Sequence, residues 1–216
     1  MSHRWLAFAV IGFLTVIVFL FFAFAIKPID RTPPEQHQTG TRVTEPTVTF
    51  VNPSRGTKQP RVTLIEFSDF SCEPCAQMHR AIDAALRAFP EDVRHVWKDR
   101  PNPSVHPQAV PAAIAARCAD RQGAFWEYQD ALLTRQALLS DNLYVQIASE
   151  LKLDMDRFGT CVKNQETYPL IEKDAQEGTA LGVIATPTLF IGAQKVVGVI
   201  SAEELVGLIQ NELAAP

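Results

Sequence analysis

The chain has 216 residues, enough for one domain plus an appendage, and 47% of them are apolar and 20% charged. Those proportions exclude a disordered or fibrous protein. The formal charge of −4 leaves no cationic surplus to neutralise phosphates, which argues against nucleic-acid binding.

From Trp5 to Ile26 no residue is charged, and the polar exception is Thr15. A helix of this length would reach about 33 Å, enough to cross a hydrocarbon core of roughly 30 Å. A cleavable signal peptide has a shorter apolar region, so residues 1–26 read as an uncleaved signal-anchor that enters the membrane through residues 5–26. Arg4 before the segment is opposed by Lys27 and Arg31 after it, so flanking charge sets orientation weakly.

Residues 27–60 hold Pro28, Pro33, Pro34, Pro46, Pro53 and Pro60 with few apolar side chains between them. Such a stretch cannot bury a core and reads as a semi-stiff tether. Thr47–Val51 is its one strand-like run, a candidate edge strand. A catalytic body is expected over residues 61–216.

Within the body, Val62–Phe67 is a short apolar run suited to a buried strand. From Cys75 the period changes: Met78, Ile82, Ala85, Leu86 and Phe89 recur at helical spacing, and Pro90 closes the helix. Val93–Trp97 is a second strand. Pro101, Pro103, Pro107 and Pro111 punctuate a loop, after which helical patterns run to about Ala180. Thr188–Ile191 and Lys195–Ile200 form a hairpin around Gly192. Ser201 and Glu204 make a capping box for a last helix whose apolar face is Leu205, Leu208 and Ile209. Strands alternating with helices predict an α/β domain with a central sheet.

The chemistry centres on Cys72-Glu73-Pro74-Cys75, which follows the first strand and opens the first helix. Positions i and i+3 of a helical turn stand about 5–6 Å apart, the separation a disulfide needs. Unpaired N–H groups and the helix dipole favour a thiolate at the first cysteine. Cys72 is therefore the expected nucleophile and Cys75 the resolving thiol. A zinc half-site and a static disulfide are the alternatives. Zinc wants four ligands, and only His79 lies near in sequence.

Three segments carry a resemblance. Leu64–Cys75 is similar to the active-site region of the DsbA-like branch of the thioredoxin superfamily, Gln122–Tyr128 to its helical insertion, and Gly182–Gly192 to its cis-proline strand. The resemblance covers about Arg61 to Leu213 and implies a thioredoxin fold with a helical insertion over about residues 101–180, preceded by one transmembrane helix. It implies that Pro187 is cis and faces the cysteine pair, leaving Thr186 to pair with an extended substrate strand. A trans proline at a strand start is the alternative. It places Glu66 beneath the second cysteine, where a carboxyl in apolar surroundings can move that thiol's proton. Lys98, at the end of the next strand, is its expected partner. An outward-facing Glu66 and a solvated Lys98 are the alternatives. His79 and the trio Phe125, Trp126 and Tyr128 read as packing residues.

In an oxidising compartment the isolated Cys118 and Cys161 are expected to bond, as some DsbA-like proteins carry a second disulfide in the helical block. In the cytosol they would be two buried thiols. The functional expectation is an extracytoplasmic oxidase, with no cofactor or metal, that donates its Cys72–Cys75 disulfide to cysteine-containing proteins. A DsbB-like or VKOR-like membrane partner would reoxidise it. An anchored reductase of the cytochrome c maturation type and a copper-binding thiol chaperone using Cys72, Cys75 and His79 are the rivals.

Overall fold

Val62–Ser68 and Val93–Asp99 are buried at nearly every successive position, as strands of a sheet covered on both faces must be. The structure, a computed structural model, describes residues 13–21 and 44–215. Residues 13–21 form a short apolar helix, α1, with exposed side chains. No helix among the described residues is long and apolar enough to cross a membrane. The rest of the expected anchor, residues 1–12 and 22–26, lies outside the described residues.

In residues 44–215 the elements run β1 (Ser54–Gly56), β2 (Val62–Ser68), α2 (Glu73–Ala88) and β3 (Val93–Asp99). A helical block follows: α3 (Ala109–Asp120), α4 (Phe125–Thr134), a 3-10 turn (Gln136–Leu138), α5 (Asp141–Glu150), α6 (Met155–Lys163) and α7 (Tyr168–Ala180). The chain closes with β4 (Thr188–Ile191), β5 (Gln194–Val197) and α8 (Ala202–Ala214). The sheet order is β1-β3-β2-β4-β5, with β2 and β3 parallel and every other neighbour antiparallel. This is the expected α/β domain with its helical insertion. The insertion's first helix, α3, follows the proline loop.

The edge strand departs from expectation. Thr47–Val51 forms no strand; Asn52 Oδ1 instead accepts hydrogen bonds from the Thr49 backbone N–H and hydroxyl, closing a turn. Ser54–Gly56 takes the edge, with Arg55 opposite His95. Gly56 sits at φ +98° against the Val93 carbonyl, where a Cβ would not fit. The domain therefore begins before residue 61. Residues 44–60 are anchored to it through Thr47 on Glu177, Asn52 on Asp174 and the Val51 carbonyl on Arg117, rather than running as a tether.

Strand parity sorts the core. Val62, Leu64, Leu189 and Ile191 meet Met78, Ile82 and Ala85 of α2 and Leu205 and Ile209 of α8. On the same face, Trp97 and Phe70 stack at 4.7 Å and join the apolar core of the helical block. Ile65, Phe67, Val96 and Phe190 face the other way. There α7 covers the sheet, and a buried ion network ties it down. Lys98 Nζ lies 3.1 Å from Asp174 and 2.7 Å from Glu177, while Arg117 holds Asp99 at 2.6 Å and Asp174 at 2.5 Å.

Candidate active site

Cys72 is the N-cap of α2, in extended conformation, with Glu73 and Pro74 in the first turn. It is disulfide-bonded to Cys75 across a Cα–Cα distance of 5.2 Å. The Cys75 N–H lies 3.3 Å from Cys72 Sγ, so the donor that would stabilise a thiolate is already aimed at the sulfur. Cys75 is fully buried, whereas Cys72 keeps 6% of its surface. An attacking thiol reaches Cys72 first.

The turn before the pair is held from two directions. Asp69, in the β2–α2 turn, accepts from the Ser71 N–H at 2.8 Å and the Asn102 N–H at 3.0 Å. Burial raises the Asp69 carboxyl above the usual range, against the pull of those two donors. From the helical block, Gln136 Nε2 donates to the Phe70 carbonyl at 2.8 Å and to the Cys72 carbonyl at 2.9 Å. His106 Nδ1 donates to the Ser71 carbonyl at 2.9 Å. Three successive carbonyls of the catalytic turn are thus fixed by side chains from beyond the sheet.

Opposite the pair, the Thr186–Pro187 peptide bond is cis. The Thr186 carbonyl oxygen stands 3.4 Å from Cys72 Sγ. Beside it opens a cleft lined by Arg100, Asn102, Ile184 and Thr186, with Ile184 91% exposed. An extended chain bonding to Cys72 would lie alongside this backbone.

Glu66 is fully buried on the sheet face that α2 covers, so it does not face outward. The expected partner is wrong. Residue 66 pairs in register with Trp97, and residue 98 with Phe67, so Lys98 projects from the opposite face. There Lys98 is buried against Asp174 and Glu177; it is neither near-neighbour to Glu66 nor a solvated surface lysine. The partner of Glu66 is His95, whose Nε2 lies 3.0 Å from Oε2. Sequence pattern missed His95 because its signal is parity between two strands, and parity needs the register. Gln136, in a 3-10 turn, and His106, in a loop, carry no periodic signal at all.

His79 is a packing residue, its ring nitrogens engaged by Arg55 and by Asp130 at 2.8 Å. Phe125 and Tyr128 are core, and Trp126 lies against His95. Cys118 and Cys161 are joined by a disulfide between α3 and α6, Cα atoms 5.9 Å apart.

Among solved structures, a thioredoxin-like oxidoreductase from Silicibacter pomeroyi shares the fold. Its TM-score is 0.71 at 23% identity, covering 78% of this chain and 95% of that one. Oxidised BdbD from Bacillus subtilis aligns at TM-score 0.70 and 19% identity, covering 76% and 94%. The thiol-disulfide exchange protein alpha-DsbA2 from Wolbachia pipientis aligns at 0.68 and 21%, covering 75% and 87%. In sequence, the chain is 34% identical over 161 residues to Na(+)/H(+) antiporter NhaA 3 of Salinispora tropica, 74% of this chain but 24% of that protein. The chain thus spans about a quarter of the length of the curated relatives it matches. A family model described as thioredoxin matches residues 50–211, a range that takes in every strand and helix framing the cysteine pair, and the chain belongs to that family.

Proposed function

We propose that this thiol–disulfide oxidoreductase works outside the cytoplasm as an oxidase, donating the Cys72–Cys75 disulfide to cysteine pairs in substrate proteins. A substrate thiolate attacks Cys72 Sγ; the S–S bond breaks and Cys75 leaves, taking up a proton. A second substrate thiolate then attacks the substrate sulfur of the mixed disulfide, and Cys72 departs as a thiolate. Two electrons have passed to the pair, which a DsbB-like or VKOR-like membrane partner withdraws. The substrate strand lies against Thr186 and Pro187 during the exchange. Residues 5–26 anchor the protein, with the catalytic domain on the extracytoplasmic side.

The observation that carries this reading is the asymmetry of the pair. Cys72 alone meets solvent, at a helix N-terminus with the Cys75 N–H directed at its sulfur. That arrangement favours the reduced form with a Cys72 thiolate, the hallmark of an oxidant. Exposed Glu73 favours the reductase reading, because its charge beside Cys72 opposes the thiolate. The copper reading loses its third ligand, since His79 is committed to Arg55 and Asp130. The antiporter relatives share only a quarter of their length with this chain, and the shared part here carries the redox pair rather than a transport path. Equilibration of Cys72–Cys75 against glutathione separates the two redox readings. An oxidase is expected above about −180 mV, whereas a value near about −270 mV makes the protein a reductase.

A further inference from the structure

We propose that Arg100 is a specificity-determining residue: in the cleft beside Cys72 it binds the carboxylate of an acidic residue that lies one or two places from the reacting cysteine of a substrate polypeptide. The proposal rests on reading Cys72–Cys75 as the exchange centre.

The cleft adjoins the reacting sulfur. Thr186 lines it together with Arg100, Asn102, Ala185 and Ile184, and the Thr186 carbonyl stands 3.4 Å from Cys72 Sγ. An extended chain advances about 3.3 Å per residue, so a polypeptide joined to Cys72 carries its next one or two residues into this cleft. The cleft holds 250 Å³. That is below the roughly 300–1,000 Å³ of small-molecule pockets and suits a side chain of a bound polypeptide.

Arg100 is the charged residue of this lining, and no acidic side chain lines the cleft with it. Among the described residues Arg100 forms no ion pair. A guanidinium has five N–H donors and stays charged at any working pH. Here Nη2 donates to the Val183 carbonyl at 3.2 Å, and Nε, sealed from solvent, has no partner among the described residues. A half-buried cation with most of its donors unused has an unmet demand, and a carboxylate meets it through charge-assisted hydrogen bonds.

The fold holds this cation in place. The Arg100 N–H donates to the Ser68 carbonyl at 2.8 Å, and the Asn102 N–H to Asp69 Oδ2 at 3.0 Å, so the cleft wall is tied to the turn that carries the cysteines. The Arg100 stem passes over Phe67 and α7 at Gly178, where a Cβ would come within 3.1 Å of Arg100 Cδ and 3.2 Å of the Phe67 ring. Glycine is a poor helix former, and at this position it leaves the stem its path. Lys195 Nζ donates to the Leu181 and Gly182 carbonyls at 3.0 and 2.7 Å. Three successive carbonyls ahead of Ile184 are thus held by two cations, and the loop that faces the substrate is positively charged and fixed. Glu73, exposed at the start of α2, does not line the cleft, so it leaves the Arg100 charge there uncompensated.

The test uses three dithiol peptides that differ only in the residues flanking each cysteine, which are Glu, Gln or Lys. Each is oxidised by the Cys72–Cys75 disulfide, and the rate constant is divided by that peptide's rate with neutral hydroxyethyl disulfide, which removes differences in thiol reactivity. The wild type is expected to react in the order Glu, Gln, Lys, with about tenfold between the ends. The span should contract in about 0.5 M salt. Arg100→Gln should flatten the order, Arg100→Glu should reverse it and Arg100→Lys should keep it, with thermal unfolding as the fold control for each variant. The wild-type order needs no variant and tests the proposal by itself. Equal normalised rates on the wild type, a preference for the Lys peptide, or a Glu preference that survives Arg100→Gln would overturn the proposal. Wild-type protein that exchanges with none of the three peptides would overturn the exchange reading itself, and this inference with it.

Discussion

A histidine sealed from water keeps its neutral form below the pH at which a free imidazole takes up a proton, and this links His95 to stability. Its folded pKa is lowered, first by burial and then by the charges of Arg55 and His79. Below about pH 6.5 the unfolded chain therefore binds a proton that the folded chain refuses, and stability falls as pH falls. Urea unfolding at pH 7, 6 and 5 should give a steeper decline for the wild type than for His95→Gln; parallel declines would show that His95 already carries a proton in the fold. Asp69 and Asp174, whose carboxyls burial raises, act in the opposite sense at lower pH and are common to both proteins. At this scale the sequence is legible where chemistry imposes a spacing. Cys72 and Cys75 stand out by the three-residue interval, and Glu66 by its charge in an apolar run. Lys98 misled because a strand position says nothing of its face until the register of β2 on β3 is known.

Elements are legible where their own side chains end them. Pro90 follows the close of α2, and Ser201 Oγ accepts from the Glu204 N–H at 3.1 Å to open α8. The edge strand was misplaced because Ser54-Arg55-Gly56 has no apolar alternation; it is a strand only because β3 offers a free edge and Gly56 can tolerate its left-handed φ. The helical insertion also acts on the site in a way no periodicity announces. Its 3-10 turn brings Gln136 to the Phe70 and Cys72 carbonyls, and the loop before α3 brings His106 to that of Ser71. Gln136→Ala should cost about 1–3 kcal/mol for the two abandoned acceptors. The cost should be local, with faster amide hydrogen exchange at residues 71–75 and a several-fold slower reaction of Cys72 with glutathione. Unchanged exchange at those amides would mean that β2 and α2 hold the turn unaided.

Across the whole molecule the two disulfides divide the work by their exposure to attack. Cys72–Cys75 closes the first turn of α2 at the mouth of the site, whereas Cys118–Cys161 ties α3 to α6 across 43 sequence steps and is buried. In the chain-entropy picture a loop of that size contributes at most about 4 kcal/mol. The core around α3 and α6 supplies further stability through Ile114 of α3, Phe158 of α6 and Tyr128 of α4. Replacing both Cys118 and Cys161 by Ala should therefore lower the unfolding free energy by a few kcal/mol, within that ceiling, while the glutathione equilibrium of Cys72–Cys75 stays put. The same bond reports the compartment. Cytosolic thiol buffers would keep Cys118 and Cys161 reduced, so the proposed extracytoplasmic location requires that they be linked. Protein isolated from its own host, with free thiols blocked before digestion, should yield the Cys118–Cys161 peptide pair without reduction. Mild reductant should open Cys72–Cys75 and leave that pair intact. Blocked, unlinked Cys118 and Cys161 would place the domain on the reducing side of the membrane and turn the proposed oxidase toward reduction.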